Sequence, residues 1–210
     1  MTDPDAKPGT SFVTKFSTDM ELLEDQLRDC FGRTAYSHKT HEKMADGCTT
    51  MLRRIKLWQL ILSLVSTGTI ALTFLIDATF MKIIATLISA GTAFLAGYTK
   101  SFDPGGSSQK HRDAANALWS IRESYLSLIT DLSGGAVSDQ DARKKRDALQ
   151  SKLEAVYKSA PRTNAAAYKA AQNALQFNEE LTFSSSEIDR LLPHSLRKAE
   201  RSKYRADAKC

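Results

Sequence analysis

The feature that most constrains this chain is an apolar block from Leu57 to Thr99, which holds only two charged residues, Asp77 and Lys82, in 43 positions. The rest of the chain is polar: 25% of all residues are charged, and the mean hydropathy of −0.33 averages the block with its two flanks. A bilayer core about 30 Å thick is crossed by roughly 20 helical residues. The block is therefore long enough for two crossings.

Two membrane spans fit within the block. Residues 57–76 contain no charge, and residues 78–98 contain only Lys82, in a first turn from which its long side chain can reach the head-group level. Because only residues 77–79 offer obvious turn material, we expect a tight antiparallel hairpin. The alternative is a buried hairpin inside a soluble bundle, but a soluble helix shows a charged face and neither span has one.

The charges beside the block predict its orientation. Lysines and arginines precede the first span and follow the second, whereas the connecting turn has only Lys82 nearby. By the positive-inside rule both chain ends then lie in the cytoplasm. Trp58 and Tyr98 fall at the same inner interface, where aromatic rings are favoured. The expected surroundings of the block are thus a lipid bilayer that the chain crosses twice.

Small and hydroxyl side chains recur through both spans, and two interpretations of them stay open. The first is close helix packing within the hairpin, through stripes of residues four apart. The second is that an oligomer turns hydroxyls toward a wet lumen, although hydroxyls can bond to their own backbone when no lumen exists. The helix-packing candidates are Ser63, Thr67, Ala71, Ala93 and Gly97, the pore-lining candidates are Ser66, Thr69, Thr73, Thr86 and Ser89, and the pore-mouth candidates are Asp77 and Lys82.

The segment before the block is predicted to form a long helix. A capping-box pattern at residues 18–21 precedes a seam with strict alternating spacings of three and four, which indicates a helix that feeds directly into the first span. Three seam positions, Thr34, Ser37 and His41, are polar, which favours a weak or switchable packing surface. The whole seam is Met20, Leu23, Leu27, Cys30, Thr34, Ser37, His41, Met44, Cys48, Met51 and Ile55.

The segment after the block is predicted to pack against this first arm. The stretch SFDPGG breaks the chain, and the next helix shows a similar seam. Because the hairpin returns both arms to the same side, the two seams are natural partners. Ser138 with Asp141 and Ser184 with Glu187 have the spacing of caps for later helices. The second seam is His111, Ala114, Leu118, Ile121, Tyr125, Leu128 and Leu132, and a narrower stripe follows at Ala142, Leu149, Leu153 and Val156.

These patterns together predict an all-α fold, a two-helix transmembrane hairpin with long cytoplasmic helical arms that form a bundle. No alternating strand pattern longer than four residues occurs in the sequence. The expected organisation is a disordered N-terminus at 1–17, a cytoplasmic N-terminal helix at 18–56, the transmembrane hairpin at 57–99, a cytoplasmic helical region at 107–192 and a basic tail at 193–210.

The sequence lacks the usual catalytic constellations. His38 and His41 are three apart, as metal ligands on one helix face can be, but two ligands without a third are an incomplete zinc set. The phosphate-binding and nucleophile motifs GxxxxGK[ST], GxGxxG and GxSxG are missing, and Asp77 is the only carboxylate in the block. We therefore expect no enzyme, no cofactor, no metal and no nucleic-acid partner.

Several stretches, taken in order, are shared with a known family. They are AYSHKTHEKMAD on the long helix, the two-span hairpin, HRDAANALWSIRESYLSLITDL, YKSAPRTNAAAYKAAQNAL and EELTFSSSEIDRLLP. Over residues 18–195 the chain resembles the SLATT family, bacterial two-transmembrane effectors associated with nucleotide-second-messenger and phage-defence systems.

The resemblance implies a function as well as a fold. It implies a homo-oligomer that forms a pore in the bacterial inner membrane and causes growth arrest or cell death. The trigger would be an associated sensor or nucleotide-synthesising protein, or a cyclic nucleotide ligand. The resemblance supplies no ligand-contacting residues, so the pore candidates rest on helical spacing alone. The alternative hypothesis is a non-catalytic membrane-anchored scaffold that recruits a partner protein.

Overall fold

The first arm and the first span form one continuous helix, α1, which runs Thr10–Thr73 over 64 residues without a proline. At about 1.5 Å per residue this helix is about 96 Å long. It begins before the predicted capping box at residues 18–21, so that box lies inside the helix, and residues 10–17, which we expected to be disordered, are helical.

The computed structural model describes residues 10–73 and 79–198. The all-α prediction is confirmed, because the structure is 87% helical and these ranges contain no strand. The predicted turn at Asp77 and the chain ends at 1–9 and 199–210 lie outside the described residues. The later helices are α2 (Thr79–Phe102), α3 (Pro104–Ser133), α4 (Asp139–Ser159), α5 (Ala165–Gln176) and α6 (Ser185–Leu191), followed by a 3-10 turn at His194–Leu196.

The chain divides into two units, residues 1–170 and 171–210. The first unit contains the apolar hairpin and a bundle formed by the first arm of α1, α3 and α4, which we call the arm bundle. Helix α3 runs antiparallel to α1, because His41 contacts His111 while Ala45, further along α1, contacts Ser108, earlier on α3. The predicted pairing of the two arms is therefore present.

The core of the arm bundle follows the predicted seams over most of their length. Every residue of the predicted α3 seam is buried. On α4, Ala142 and Leu149 are buried, and Leu153 and Val156 pack against the same core. The buried core is Leu23, Leu27, Cys30, Ile121, Tyr125, Leu128, Leu132, Ala142 and Leu149.

The α1 seam departs from its predicted register after Thr34. The seam residues His41 and Ile55 are buried as predicted, but His38 and Ala45 are buried beside them, while Ser37 and Met44 are only half-buried and Met51 is 40% exposed. The reason is geometric: an α-helix has 3.6 residues per turn, so a strict seven-residue repeat drifts about 20° per heptad around a straight helix. Beyond Thr34 the strict heptad pattern therefore predicts only some of the buried positions of this arm.

The break between α2 and α3 is a single residue, Asp103, rather than the longer loop that SFDPGG indicated. Asp103 adopts a left-handed conformation with φ of 38°, and its carboxylate accepts a hydrogen bond of 2.9 Å from the Gly106 backbone N–H. Pro104 then occupies the start of α3, where its missing N–H costs nothing. Helix α3 therefore begins at 104 instead of 107.

Two of the predicted caps are confirmed. The Ser138 hydroxyl accepts a hydrogen bond from the Asp141 N–H at the start of α4, and this hydroxyl also lowers the pKa of the Asp141 carboxyl. In the second unit, Ser184 and Glu187 form a reciprocal capping box at the start of α6. The Ser184 backbone N–H donates to the Glu187 carboxylate at 2.7 Å, which lowers the pKa of that carboxyl.

The Asp103 cap predicts that alanine substitutions at two adjacent glycines, Gly105 and Gly106, affect stability differently. A Cβ at Gly106 would meet the Asp103 carboxylate oxygen at 2.1 Å, whereas a Cβ at Gly105 would meet Leu52 at an ordinary 3.5 Å. Loss of an N-cap costs about 0.5–2 kcal/mol. We expect Gly106→Ala to lower the unfolding temperature of the detergent-solubilised protein, measured by circular dichroism.

Gly105→Ala is the matched control for that experiment. It changes the same residue type in the same turn without displacing the cap, so its unfolding temperature should stay at or above that of the unmodified protein. Equal losses in the two variants would contradict the capping role of Asp103.

Candidate functional site in the apolar hairpin

The outer surface of the hairpin is apolar and has no protein cover. Among the described residues, two helices are long and apolar enough to cross a membrane, and only 6% of the most apolar window of each is buried. A core helix of a soluble protein would be mostly buried. Leaving one large apolar side chain in water forfeits about 1.5–3 kcal/mol. The exposed side chains include Leu57, Trp58, Leu60, Leu64, Ile83, Leu87 and Phe94.

The inner surface of the hairpin carries two of the pore-lining candidates. Thr69 is only 9% exposed and Ser66 is half-buried, on the same face of α1 as Leu62, which lies 4.0 Å from the Cβ position of Gly91 on α2. The Thr69 hydroxyl donates to the Val65 carbonyl at 2.8 Å and so is satisfied within its own helix. In the single hairpin these positions face α2 and not a lumen.

The helix-packing candidates occupy the opposite surface. Ser63, Thr67 and Ala71 are exposed on α1, as are Ala93 and Gly97 on α2. The expectation that they pack within the hairpin is therefore not met. The reason is that two interleaved stripes of small residues share each span, and helical spacing alone does not say which stripe faces the partner helix.

The remaining candidates divide between exposed positions and the ends of the spans. Thr86 and Ser89 are exposed on α2, and the Thr86 hydroxyl donates to the Lys82 carbonyl at 2.8 Å. Lys82 is exposed in the first turn of α2, where the sequence predicted it. Thr73 is the last residue of α1; its side chain, like the whole of Asp77, lies outside the described residues.

A layer of buried polar groups separates the spans from the apolar core of the arm bundle. The Ser108 hydroxyl donates to the Ala45 carbonyl at 2.9 Å, and it lies 2.9 Å from the Thr49 hydroxyl. His41 and His111, each no more than 4% exposed, bring their Nδ1 atoms to 2.9 Å. We call these five residues the polar layer. Each of these contacts joins α1 to α3.

The two histidines of the polar layer are held neutral by their surroundings. Burial lowers the pKa of His111, and burial followed by the nearby His111 and His38 lowers the pKa of His41. With both rings neutral, one Nδ1–H donates to the other Nδ1. Protonation of both rings would place a hydrogen on both facing nitrogens and remove that hydrogen bond. His38 also has a lowered pKa, mainly through burial.

Sequence reasoning named His41 but not its partnership with His111. Both residues lay on predicted seams, so the signal was present. The sequence did not predict the register between the two antiparallel helices, which brings His41 opposite His111. Within residues 10–73 and 79–198, no group of three or more His, Cys, Asp or Glu side chains could hold a metal ion.

These observations define a class of protein: an all-α membrane protein with two apolar helices and a helical arm bundle. The sequence profile of the SMODS and SLOG-associating 2TM effector domain family 4 matches residues 23–187. The chain belongs to this family, and the resemblance to SLATT proteins is confirmed. Membership implies a defence-associated membrane effector, and the family name describes an association with SMODS and SLOG proteins. The chain has no significant match among curated proteins or solved structures.

The lowered pKa values predict a pH dependence of stability. Because the unfolded histidines titrate near 6.5 and the folded ones at lower pH, the unfolded state binds more protons between those values. Stability is fully present above pH 6.5 and is lost as the pH falls through the lowered folded-state pKa. We expect the unfolding temperature of the detergent-solubilised protein to drop between pH 7 and pH 5.

The double variant His41→Gln, His111→Gln isolates the source of that drop. It should unfold at a temperature that varies less with pH, since the titrating pair is gone. His194→Gln, which alters an exposed histidine of the second unit, is the control and should keep the full dependence. A double variant with an unchanged pH profile would show that other groups are responsible.

Proposed function

We propose that this protein is the membrane effector of a bacterial anti-phage defence system. In this proposal it lies in the inner membrane with both termini in the cytoplasm, and several copies assemble into a pore that stops growth or kills the cell. Family membership and the uncovered apolar hairpin support the membrane effector role. The basic residues that flank both spans on one side, among them Arg53, Arg54, Lys56 and Lys100, support the orientation.

One hairpin cannot enclose a lumen by itself, because its two helices pack directly against each other through the face that carries Thr69. A pore therefore needs several copies. The observation that carries this step is the outward position of hydroxyl and small side chains on helices that are otherwise lipid-like: Ser63 and Thr67 on α1, and Thr86 and Ser89 on α2. Such residues are typical of helix–helix interfaces in lipid and of wet surfaces.

The outward positions change the choice of pore-lining residues. Thr86 and Ser89 remain candidates, since they are free to face a lumen or a neighbouring copy. Ser66 and Thr69 would reach a lumen only if the hairpin itself opened. The exposed stripe that includes Ser63 and Thr67 is instead a candidate for contact between copies.

In the proposed resting state the arm bundle keeps the hairpins from assembling. An associated sensor or nucleotide-synthesising protein, or a cyclic nucleotide that it makes, releases the arms. The polar layer supports this step, because hydrogen-bonded contacts can be exchanged for contacts with water at a small net cost. A ligand that shifts a two-state equilibrium from 1:99 to 99:1 must prefer one state by about 5.5 kcal/mol.

The alternative function is a non-catalytic scaffold whose hairpin only anchors it. It is favoured by the exposed apolar side chains of Trp119 and Leu126 on α3, in the arm bundle, which a partner protein could cover. A scaffold needs no ion flux, so a flux measurement separates the two functions.

Dye-loaded liposomes that contain the purified full-length protein provide that measurement. We expect leakage that increases when the pH is lowered from 7 to 5.5, because proton binding by the histidines of the polar layer would loosen the arms. The variant Thr86→Leu, Ser89→Leu should reduce leakage about tenfold or more, because an apolar constriction excludes water and ions.

Thr69→Val is the matched control, since it removes a hydroxyl that is buried within the hairpin and already bonded to its own helix. It should leak like the unmodified protein. If Thr69→Val abolishes leakage and the Thr86 and Ser89 variant does not, the lumen is lined by the opposite face. If the unmodified protein leaks at neither pH, the scaffold function is favoured.

A further inference from the structure

An open cleft lies on the arm bundle, well away from the hairpin. It has a volume of about 1030 Å³ and lies between residues 28–41 of α1 and the connection from α4 to α5. All of its lining residues belong to the first unit. Volumes of this order are typical of small-molecule sites. Its most chemically distinctive lining residues are Arg28, Arg33, Arg162, Tyr36, Tyr157 and Tyr168.

The cleft is rich in positive charge. Three arginines line it together with one carboxylate, Asp29, which forms an ion pair of 3.1 Å with Arg33. Both partners of that pair are about two-thirds exposed, so the pair is weak and a stronger anion can compete for Arg33. Arg162 is exposed and forms no ion pair with the described side chains. Arginine side chains bind phosphate groups in a bidentate manner.

The same cleft offers aromatic surface. Tyr36 of α1 and Tyr168 of α5 stack with ring centroids 5.9 Å apart and an angle of 27° between their planes. Tyr168 is 52% exposed, so part of its ring remains open. Nearby, the Tyr157 hydroxyl lies 2.8 Å from the Ser37 hydroxyl, and the pair joins α4 to α1. Aromatic side chains are the usual platform on which nucleic-acid bases stack.

We propose that this cleft binds an organic anion that combines a planar aromatic ring with phosphate groups, as a nucleotide does. The arginines would hold the phosphates, and the Tyr36 and Tyr168 pair would hold the ring. Neither feature alone selects this class, because arginines alone would accept any polyanion and aromatic rings alone would accept an uncharged ring.

Lipid head groups, the other abundant phosphates beside a membrane protein, are too distant to be the ligand. Tyr36 lies 21 residues before Leu57 on the same helix, which is about 32 Å along the helix axis. Electrostatic attraction to a bilayer surface falls off over a Debye length of about 8 Å. The cleft is therefore positioned for a soluble ligand.

The cleft also reaches the polar layer. His41 is one of its lining residues, and its Nδ1 lies 2.9 Å from that of His111 on α3. A bound ligand would thus contact one side of the junction between α1 and α3. This consequence rests on the proposed function, in which release of the arms starts pore assembly, whereas binding itself does not depend on it.

Isothermal titration of the full-length protein in detergent tests the proposal. The probes are the four ribonucleoside 5′-triphosphates and 3′,5′-linked dinucleotides, with inorganic tripolyphosphate and adenosine as the anion-only and ring-only comparisons. We expect at least one nucleotide to bind more tightly than both comparisons. Arg162→Gln and Tyr168→Leu should each weaken that nucleotide by about tenfold or more.

Both variants alter exposed side chains, so the fold should survive, and circular dichroism checks it. Arg143→Gln is the matched control: Arg143 lies on α4 outside the cleft and pairs with Asp139 at 3.1 Å, much as Arg33 pairs with Asp29. It should bind like the unmodified protein. The proposal is overturned if no nucleotide binds, if tripolyphosphate binds as tightly, or if Arg143→Gln loses as much affinity as Arg162→Gln.

The liposome assay distinguishes the failure of this inference from the failure of the proposed function. Nucleotide binding without leakage would leave the cleft assignment intact and remove the pore. Leakage without nucleotide binding would support the pore and overturn the cleft assignment.

Discussion

The structure depends on the bilayer as the solvent for about forty residues of the hairpin. The outer faces of α1 and α2 bear large apolar side chains such as Leu64 and Phe94, which are 66% and 70% exposed. The arm bundle cannot cover them, because its own core lies elsewhere on α1, around Leu23 and Leu27. With no hydrophobic driving force between helices in lipid, the hairpin relies on close packing and backbone-satisfied hydroxyls. That explains why its inner face is small and hydroxyl-bearing, as at Gly91 and Thr69.

Continuity of α1 connects this membrane environment to the arm bundle. A helix without proline resists bending, so a change in the position of α1 against α3 is passed along its axis and is not absorbed at a hinge. Helix α3 is tied to α2 by the single residue Asp103, whose left-handed conformation and cap on Gly106 fix the angle between them. Two of the three arm-bundle helices are therefore extensions of the membrane spans. Rearrangement of the arm bundle and of the hairpin cannot be independent.

The sequence predicted the architecture because each main element has a strong local signal. The length of the apolar block predicts two helices, the three-four seams predict which faces of α1 and α3 meet, and the caps at Ser138 and Ser184 predict two helix starts. These features depend on neighbours along the chain. All seam positions of α1 from Leu23 to Thr34 are buried, whereas beyond Thr34 the accumulated drift of a 3.6-residue helix brings His38 and Ala45 into the buried face beside the seam residue His41.

The sequence could not predict features that depend on register between distant segments. The choice between the stripe with Ser63 and the stripe with Ser66 is decided by the rotation of α1 against α2, and both stripes consist of small or hydroxyl residues at helical spacings of three or four. The cleft could not be predicted either, because Arg33 and Arg162 are far apart in sequence. They line the same cleft only because α4 runs back alongside α1. For the same reason the contact between His41 and His111 was not predicted, although each residue was placed on a predicted seam.

The distribution of polar contacts along α1 indicates where the arm bundle would open first. From Leu23 to Cys30 the buried contacts of α1 with α3 and α4 are mainly apolar, although Gln26 accepts a hydrogen bond of 2.8 Å from Arg146, and separating them would expose hydrocarbon to water. From His41 to Thr49 the contacts are hydrogen bonds, each worth only about 0.5–1.5 kcal/mol net, because water replaces the lost partner. Separating α1 from α3 therefore requires less free energy at the end of the arm bundle nearest the hairpin. In the proposed function, a change there would alter the spacing of α1 and α3 next to the spans while the distant apolar core held the two arms together, so that the opening would be reversible.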